Sequence, residues 1–312
     1  MGAFVVAVNA VTPLLVYLTL GWFARKSGLV REPFLQEMNQ FVFRCFFPIT
    51  MFYNTHAIQV SFSDSSQLIV VCAGLLVLVV ALSVAIVPRL VQENARRGVI
   101  IQCLYRSNLV LFALGLTETL FGAEGVALAS VIIAIFVPVY NVLAIIVLES
   151  YRGGASDVRM LVRRVLTNPL FVGGMAGLAF SFAGLHLPDA LESSVAKLSA
   201  VTTPLAMIIL GGTIRFSGVV RDRMAIVATL GIKMLVLPAV AVAICALLGM
   251  TQLETFVCFT LCSTPVAASA YTMSQNKGGD GELAGELVAI STVVSLGTLF
   301  VWIVVLRSMG LI

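Results

Sequence analysis

The stretch from residue 102 to 118, QCLYRSNLVLFALGLTE, places a cation, a hydroxyl and an amide among apolar side chains: Arg106, Ser107 and Asn108. A second polar stretch, residues 263–265 (Ser-Thr-Pro), interrupts another apolar segment. Amide and hydroxyl groups donate hydrogen bonds, and an arginine guanidinium can hold a carboxylate through two parallel hydrogen bonds. If the fold brings the two stretches together, these residue types predict a site for a small carboxylate anion.

The composition indicates that lipid surrounds much of the chain. Of its 312 residues, 60% are hydrophobic and only 11% are charged, and the mean hydropathy is +1.06. Soluble domains carry about 25% charged residues. Three internal runs without charge, 67–87, 125–148 and 287–306, each approach the roughly 20 residues that cross a bilayer core. We therefore predict an integral membrane protein.

The apolar segments predict an all-α fold of ten membrane-spanning helices. Their approximate ranges are 3–24, 37–55, 66–87, 98–119, 123–148, 167–186, 195–214, 224–249, 254–276 and 284–306. Fourteen of the nineteen Lys and Arg residues fall in loops at one end of these segments, among them Arg96 and Arg221. By the positive-inside rule that end faces the cytoplasm. The sequence thus predicts a multi-pass cell-membrane protein whose two termini are extracytoplasmic.

The two halves of the chain carry matching residues at a constant spacing. A shift of 156 residues pairs Pro48 with Pro204 and Gly21 with Gly177. Because each half holds five predicted helices, an odd number, the second half enters the membrane from the opposite side. We therefore predict two inverted five-helix repeats joined by a cytoplasmic connector. Their ranges are 1–149, 167–312 and, for the connector, 150–166.

The polar stretches lie at equivalent depths in these repeats. A shift of 157 residues sets Asn108 opposite Pro265. Pro265 removes a backbone hydrogen bond from the ninth predicted helix, and Gly115 weakens the fourth. Within a bilayer, broken helices are tolerated only beside a protein-lined or water-filled cavity. We therefore expect helices four and nine to be broken, with Gly115 and Pro265 as the helix-break residues, and to point half-helix N-termini at one anion-binding pocket.

The candidate substrate-binding residues belong to these two breaks and to neighbouring helices. They are Arg106, Ser107, Asn108, Ser263, Thr264, Pro265, Asn141 and Arg44. The alternative for Arg106 is snorkelling or an ion pair with Glu118, and the alternative for Arg44 is support of helix two. Asn141 also suits a hydrogen bond between helices. Lys233, in helix eight, is interpreted as structural.

We expect no metal and no cofactor. The six cysteines lie inside apolar segments and form no CxxC pair, so they are interpreted as small buried hydrophobes. The phosphate-binding pattern GxxxxGK[ST] is absent, which excludes a built-in nucleotide-hydrolysing engine. The basic residues are spread over short loops, so the net charge of +4 predicts no nucleic-acid partner.

In these residues the sequence resembles the auxin efflux carrier family, prokaryotic type, within the wider group that includes bile-acid/sodium symporters. The resemblance covers essentially the whole chain and depends on the order and spacing of several motifs. The motifs are Arg106-Ser107-Asn108 followed by Gly122, Val-Pro-Val-Tyr-Asn-Val-Leu-Ala (137–144), Thr-Asn-Pro-Leu (167–170), Thr-Pro-Leu-Ala-Met-Ile-Ile-Leu-Gly-Gly (203–212), Ser-Thr-Pro-Val-Ala-Ala-Ser-Ala-Tyr (263–271) and Gly-Gly-Asp (278–280).

The resemblance implies a carrier in which helices four and nine are broken and cross. Helices one, two, six and seven would form a scaffold, and the others a mobile transport part that works by an elevator-type movement. Asn108 would contact the carboxylate of the substrate. Plant members have a proline where this chain has Gly115, and many have a long loop where it has only the connector 150–166. A small organic acid such as malate or malonate is therefore expected as the cargo, rather than the plant hormone.

We therefore predict a secondary-active or uniport carrier that moves a small organic anion by alternating access. A sodium-coupled symporter of the bile-acid type is the alternative within transport, and a membrane sensor or receptor for an organic acid is the alternative of another class. An intramembrane protease is disfavoured, because Lys-Gly-Gly-Asp (277–280) fails the GxGD pattern and both histidines fall at helix ends. The expected partners are the anion and the bilayer, and a homodimer through the scaffold helices is left open.

Overall fold

The computed structural model of the chain describes residues 2–56, 66–152, 159, 162–163, 166–213 and 216–312. Within these ranges every regular element is a helix, apart from one isolated backbone bridge. The all-helical class expected from the sequence is therefore confirmed. Most of the predicted connector 150–166 lies outside the described residues, as do Arg164 and Arg215, which the count of cytoplasmic charges includes.

Described helical residues occur in each of the ten predicted segments. In the first half the helices are α1 (Gly2–Lys26), α2 (Glu32–Phe41), α3 (Phe47–His56), α4 (Ser66–Leu90), α5 (Asn94–Tyr105) and α6 (Leu109–Ser150). In the second half they are α7 (Pro169–Phe182), α8 (Asp189–Thr213), α9 (Phe216–Arg221), α10 (Arg223–Gly231), α11 (Leu237–Leu247), α12 (Gln252–Ser263), α13 (Ser269–Lys277) and α14 (Gly281–Ser308).

In the described part of the chain, five helical segments are long and apolar enough to cross a membrane. They are Ser66–Leu90, Phe112–Ser150, Asp189–Thr213, Arg223–Leu247 and Gly281–Ser308. Two predicted spans, 98–119 and 254–276, are each divided between two helices separated by a gap, so neither forms one continuous helix. The protein is thus a multi-pass membrane protein, and the count of ten spans remains a prediction.

Two π turns interrupt otherwise continuous helices. Val42–Phe46 joins α2 to α3 and is followed by Pro48, and Ile232–Val236 joins α10 to α11 and is followed by Pro238. A proline has no backbone N–H, so the carbonyl four residues before it loses its helical partner, and a π turn is one way to accommodate this. The same sequence cause therefore produces the same local structure twice.

The helix α6 reverses direction at Gly122, whose φ of 63° and ψ of −145° are not helical. A Cβ atom on Gly125 would lie only 2.6 Å from the carbonyl oxygen of Thr117, eight residues earlier. In a straight helix these residues would be about 12 Å apart. The chain therefore folds back after residue 121, and α6 consists of a short arm and a long arm. A positive φ is readily adopted by glycine, which explains why a glycine stands at this turn.

Glycines let four helices approach closely in two pairs. In the pair α1 and α8, a Cβ on Gly21 would lie 1.9 Å from the carbonyl oxygen of Ile208. In the pair α3 and α7, a Cβ on Gly177 would lie 2.6 Å from the carbonyl oxygen of Phe52. Small residues of this kind allow membrane helices to pack backbone against backbone. We call α1, α3, α7 and α8 the glycine-packed group.

A cluster of charged residues ties together the ends of α5, α9, α10 and α14. The Asp222 carboxylate is 3% exposed and accepts hydrogen bonds from Arg96 at 2.7 Å and Arg221 at 2.8 Å. Arg221 also reaches Glu282 at 3.1 Å. Burial alone would raise the pKa of Asp222, but the two guanidinium groups outweigh that effect and lower its pKa. The cluster therefore fixes the helices that lead into the site.

All six cysteines lie among the described residues and all are free thiols. Five of them are buried in the helical core, in agreement with their interpretation as small apolar residues. Cys45 is the exception, because it lies in the first π turn with its side chain exposed.

Candidate functional site

The first helix break, at residues 106–108, ends seven residues before Gly115, the nearest glycine that follows it. The helix α5 ends at Tyr105 and α6 begins at Leu109, with extended backbone at Arg106 (φ −83°, ψ 115°) between them. Gly115, expected to mark this break, instead lies inside the short arm of α6, so that expectation is wrong. A glycine destabilises a helix by only about 1 kcal/mol and keeps its backbone N–H, so it does not by itself end one.

The second break falls where Pro265 predicts it. The helix α12 ends at Ser263 and α13 begins at Ser269, and Thr264 has an extended backbone (φ −73°, ψ 152°). Pro265 has no N–H to continue the helical hydrogen bonds. The two gaps, residues 106–108 and 264–268, therefore each contain a short extended segment, and we call the two gaps together the crossover.

The two extended segments pair with each other as antiparallel strands do. Ser107 and Val266 form an isolated antiparallel bridge, and the backbone N–H of Asn108 donates to the Pro265 carbonyl at 2.8 Å. The N–H of Val266 donates to the hydroxyl of Ser291 at 3.1 Å. These bonds satisfy backbone groups that would cost several kcal/mol if left open in hydrocarbon. The structure thus brings together the two polar stretches that are far apart in sequence.

Arg106 is buried in the crossover, and its guanidinium hydrogen bonds to neutral groups. Its guanidinium donates to the Asn141 side-chain oxygen, to the Ser269 hydroxyl at 2.7 Å and to the Met273 sulfur at 2.8 Å. Glu118, the alternative partner, is exposed, and no carboxylate pairs with Arg106 among the described residues. A positive charge without a counter-charge is expensive inside a membrane protein, so this position favours a bound anion.

Asn141 links the crossover to a cleft. Its side-chain oxygen accepts from Arg106, while its amide donates to the Val137 carbonyl and the Met51 sulfur, each at 2.8 Å. The cleft lies between the long arm of α6 and helices α3 and α7 of the glycine-packed group. Its lining consists of Met51, Pro138, Asn141, Val142, Ile145, Leu170, Phe171, Gly174, Met175 and Leu178. Asn141 supplies the polar part of this lining.

Several hydroxyl groups near the crossover have free hydrogen-bonding capacity. The side-chain oxygens of Ser263, Thr264 and Tyr105 are buried and have no hydrogen-bond partner among the described residues. The Asn108 side chain is half-buried at the start of α6, and no described residue hydrogen bonds to its amide. Buried polar groups normally have partners, so unsatisfied ones at the crossover are suited to a polar ligand or water.

Arg44 does not belong to this group. It lies in the first π turn with an exposed side chain, whereas the crossover residues are buried or half-buried. The exposed guanidinium of an arginine in a membrane helix is better placed to contact lipid headgroups or the end of a neighbouring helix than to act in the crossover.

The sequence did not indicate that Lys233 lies at the crossover. Lys233 is fully buried, and its ammonium donates to the Ser107 hydroxyl at 2.8 Å. The available signal was a charged residue inside an apolar helix and five residues before Pro238, a position that the π turn rotates towards the crossover. Ser269 and Met273, the other Arg106 partners, have no distinctive sequence pattern.

A multi-pass helical protein with two broken helices crossing at buried polar groups has the architecture of a transporter. The comparisons with known proteins agree. The chain belongs to the membrane transport protein family, the auxin efflux carrier family, whose model matches residues 6–303. An uncharacterized transporter of Methanothermobacter thermautotrophicus is 24% identical over 308 residues, which cover 97% of this chain and 99% of that relative.

Proposed function

We propose that the protein is a carrier that moves a small organic anion, of the malate or malonate type, across the cell membrane by alternating access. The observation that carries the proposal is the Arg106 guanidinium, buried at the crossover without a carboxylate partner among the described residues. Carboxylates match arginine geometry and are retained by charge-assisted hydrogen bonds. The half-helix N-termini at Leu109 and Ser269 add partial positive charge at the same place.

The binding groups in this proposal are Arg106, Asn108 and the free hydroxyls of Ser263 and Thr264, which can donate to an anion. Ser107 and Pro265 hold the two extended segments in register rather than contact the substrate. Asn141 fixes the Arg106 guanidinium from the side of the cleft. An anion in the cleft would contact Asn141 first, and Arg106 lies directly behind that side chain.

The inverted repeat is part of the same proposal, and paired contacts support it. Under the shift of 156 residues, Gly21 corresponds to Gly177 and Ile208 to Phe52. The close contact of Gly21 with Ile208 thus corresponds to the contact of Gly177 with Phe52. In each contact a glycine of one repeat meets a carbonyl of the other repeat, and the second contact reverses the roles of the two repeats. Two repeats related by a two-fold axis produce such reciprocal contacts.

We further propose that the glycine-packed group is the fixed scaffold and that the remaining helices move as the elevator. The cleft lies between these two parts, since Met51 and Leu170 belong to the first and Pro138 and Asn141 to the second. The ten-span topology and extracytoplasmic termini follow from the same scheme. Assembly as a homodimer through the scaffold would leave the cleft free to open.

The test is binding of carboxylates by the purified protein in detergent. A thermal-shift screen with malate, malonate and other small carboxylates identifies the best ligand of the wild type. Asn108→Ala should weaken that ligand about 10- to 100-fold, the cost of one hydrogen bond to a charged group. Its unfolding temperature without ligand should stay close to that of the wild type, because no described residue bonds to the Asn108 amide.

The matched control is Asn276→Ala, which removes a partly buried asparagine near the end of α13, away from the crossover. This variant should bind the carboxylate as the wild type does. Equal affinity of Asn108→Ala and Asn276→Ala would refute the crossover as the anion site.

A further inference from the structure

Lys233 is a second buried cation at the crossover. It is 0% exposed, and its ammonium lies 2.8 Å from the Ser107 hydroxyl. In the described part of the chain, no carboxylate forms an ion pair with it. An isolated ammonium at membrane depth costs several kcal/mol, so a residue of this kind is retained for a function or is compensated locally.

The compensation comes from the ends of two half-helices. Ser107 accepts from Lys233 and donates its own hydroxyl to the Leu261 carbonyl at 2.6 Å. Leu261 is in the last turn of α12, where carbonyl groups lack helical partners and bear partial negative charge. Cys103, in the last turn of α5, and Cys262 are also close electrostatic neighbours of the ammonium. Lys233 thus lies beside the C-terminal ends of both half-helices that stop at the crossover.

The π turn holds Lys233 in this position. Pro238 leaves the Met234 carbonyl without a helical donor, and the Trp302 indole N–H of α14 donates to it at 2.9 Å. A π turn inserts one extra residue and so rotates the side chains that precede it. Two separate features, a proline and a tryptophan from another helix, therefore stabilise the local geometry that directs this lysine.

We propose that the Lys233 ammonium is a tethered cation. It supplies positive charge at the C-terminal ends of α5 and α12, where the broken helices of other carriers bind a diffusible ion. The inference rests on the proposed function and concerns whether transport needs a coupled ion. The anion is carried without sodium, because the position for a small cation is already filled by the side chain.

The experiment compares wild type, Lys233→Ala and Lys233→Arg in three salts of equal ionic strength: sodium chloride, methylammonium chloride and N-methyl-D-glucamine chloride. Unfolding temperature and malonate or malate binding are measured in each. The wild type should give the same values in all three salts. Lys233→Ala should unfold several degrees lower in N-methyl-D-glucamine and recover at least half of that loss, saturably, in sodium or methylammonium.

This pattern separates a tethered cation from a merely structural lysine, since a packing defect would respond equally to every salt. Lys233→Arg, which keeps the charge, should stay independent of the salt. Wild-type binding that requires sodium, or a Lys233→Ala variant that shows no selective recovery, would overturn the inference. If Lys233→Ala cannot be purified, Lys233→Ser, which also leaves the space of the lysine side chain open, is measured in its place with the same outcomes. None of these results alters the Asn108→Ala comparison, so the anion site is judged separately.

Discussion

The glycine-packed group gives the sharpest stability prediction, through the substitution Gly177→Ala. The added methyl carbon would lie 2.0 Å from the Thr55 hydroxyl oxygen and 2.6 Å from the Phe52 carbonyl oxygen. The Thr55 hydroxyl is held by hydrogen bonds to the carbonyls of Met51 at 2.8 Å and Gly174 at 3.0 Å, so it cannot simply rotate away. The helices α3 and α7 must therefore separate.

The expected cost is about 3 kcal/mol, at the upper end of the range for overpacking, because backbone has to move. Gly174→Ala is the matched control on the same helix, since its methyl carbon would meet only the Met51 Cβ at 3.9 Å. That variant should be neutral or slightly stabilised, because alanine is a better helix former than glycine by about 1 kcal/mol.

The five buried thiols provide the assay. A thiol-reactive fluorescent dye labels them only when the helices separate on heating in detergent, and Cys45 gives a constant background because it is exposed. Gly177→Ala should unfold at a clearly lower temperature than Gly174→Ala. Gly21→Ala, which introduces a 1.9 Å contact with the Ile208 carbonyl, should show a similar loss. Equal unfolding temperatures for the 177 and 174 variants would refute the close packing of α3 on α7.

Two further predictions concern the charged cluster and the second π turn. Asp222→Asn should lower stability by about 1–3 kcal/mol at neutral pH. Because folding lowers the pKa of Asp222, the wild type loses the same contribution as the pH falls below about 4. The unfolding temperatures of the two proteins should therefore converge in acid. A difference in unfolding temperature that is constant with pH would contradict the ion-pair argument. Trp302→Phe keeps an aromatic ring but removes the N–H that binds the Met234 carbonyl, and it should cost about 1–2 kcal/mol and weaken anion binding. Unchanged values in the thermal and binding assays would show that the π turn does not need this hydrogen bond.

Much of the fold was accessible from the sequence because each signal had one strong physical cause. Apolar runs of spanning length indicate helices in lipid, and a proline inside such a run indicates a break, as at Pro265. The pairing of Asn108 with Pro265 at a spacing of 157 residues also located the first break closely. The π turns were not predicted, since a proline in a helix can equally cause a kink or a break.

Three features of the site depend on tertiary packing and could not be predicted from the sequence. Gly115 does not mark the first break, because the extended segment at residues 106–108 is fixed by the pairing of Ser107 with Val266 in the second half and not by a local helix breaker. The sequence did not indicate that Lys233 is buried at the crossover or that Arg44 is exposed. Which side of a helix faces a distant segment depends on tertiary packing, and no single-sequence pattern determines it.

The most direct test of the central claim is transport by the protein in proteoliposomes with equal sodium on both sides of the membrane. Vesicles loaded with the unlabelled carboxylate that stabilises the wild type most are placed in a trace of the radiolabelled form. Wild-type vesicles should accumulate label transiently by exchange, and Asn108→Ala vesicles should stay close to protein-free vesicles. Exchange by Asn108→Ala at the wild-type rate, or no exchange by the wild type in any carboxylate that it binds, would contradict a carrier that binds its anion at the crossover.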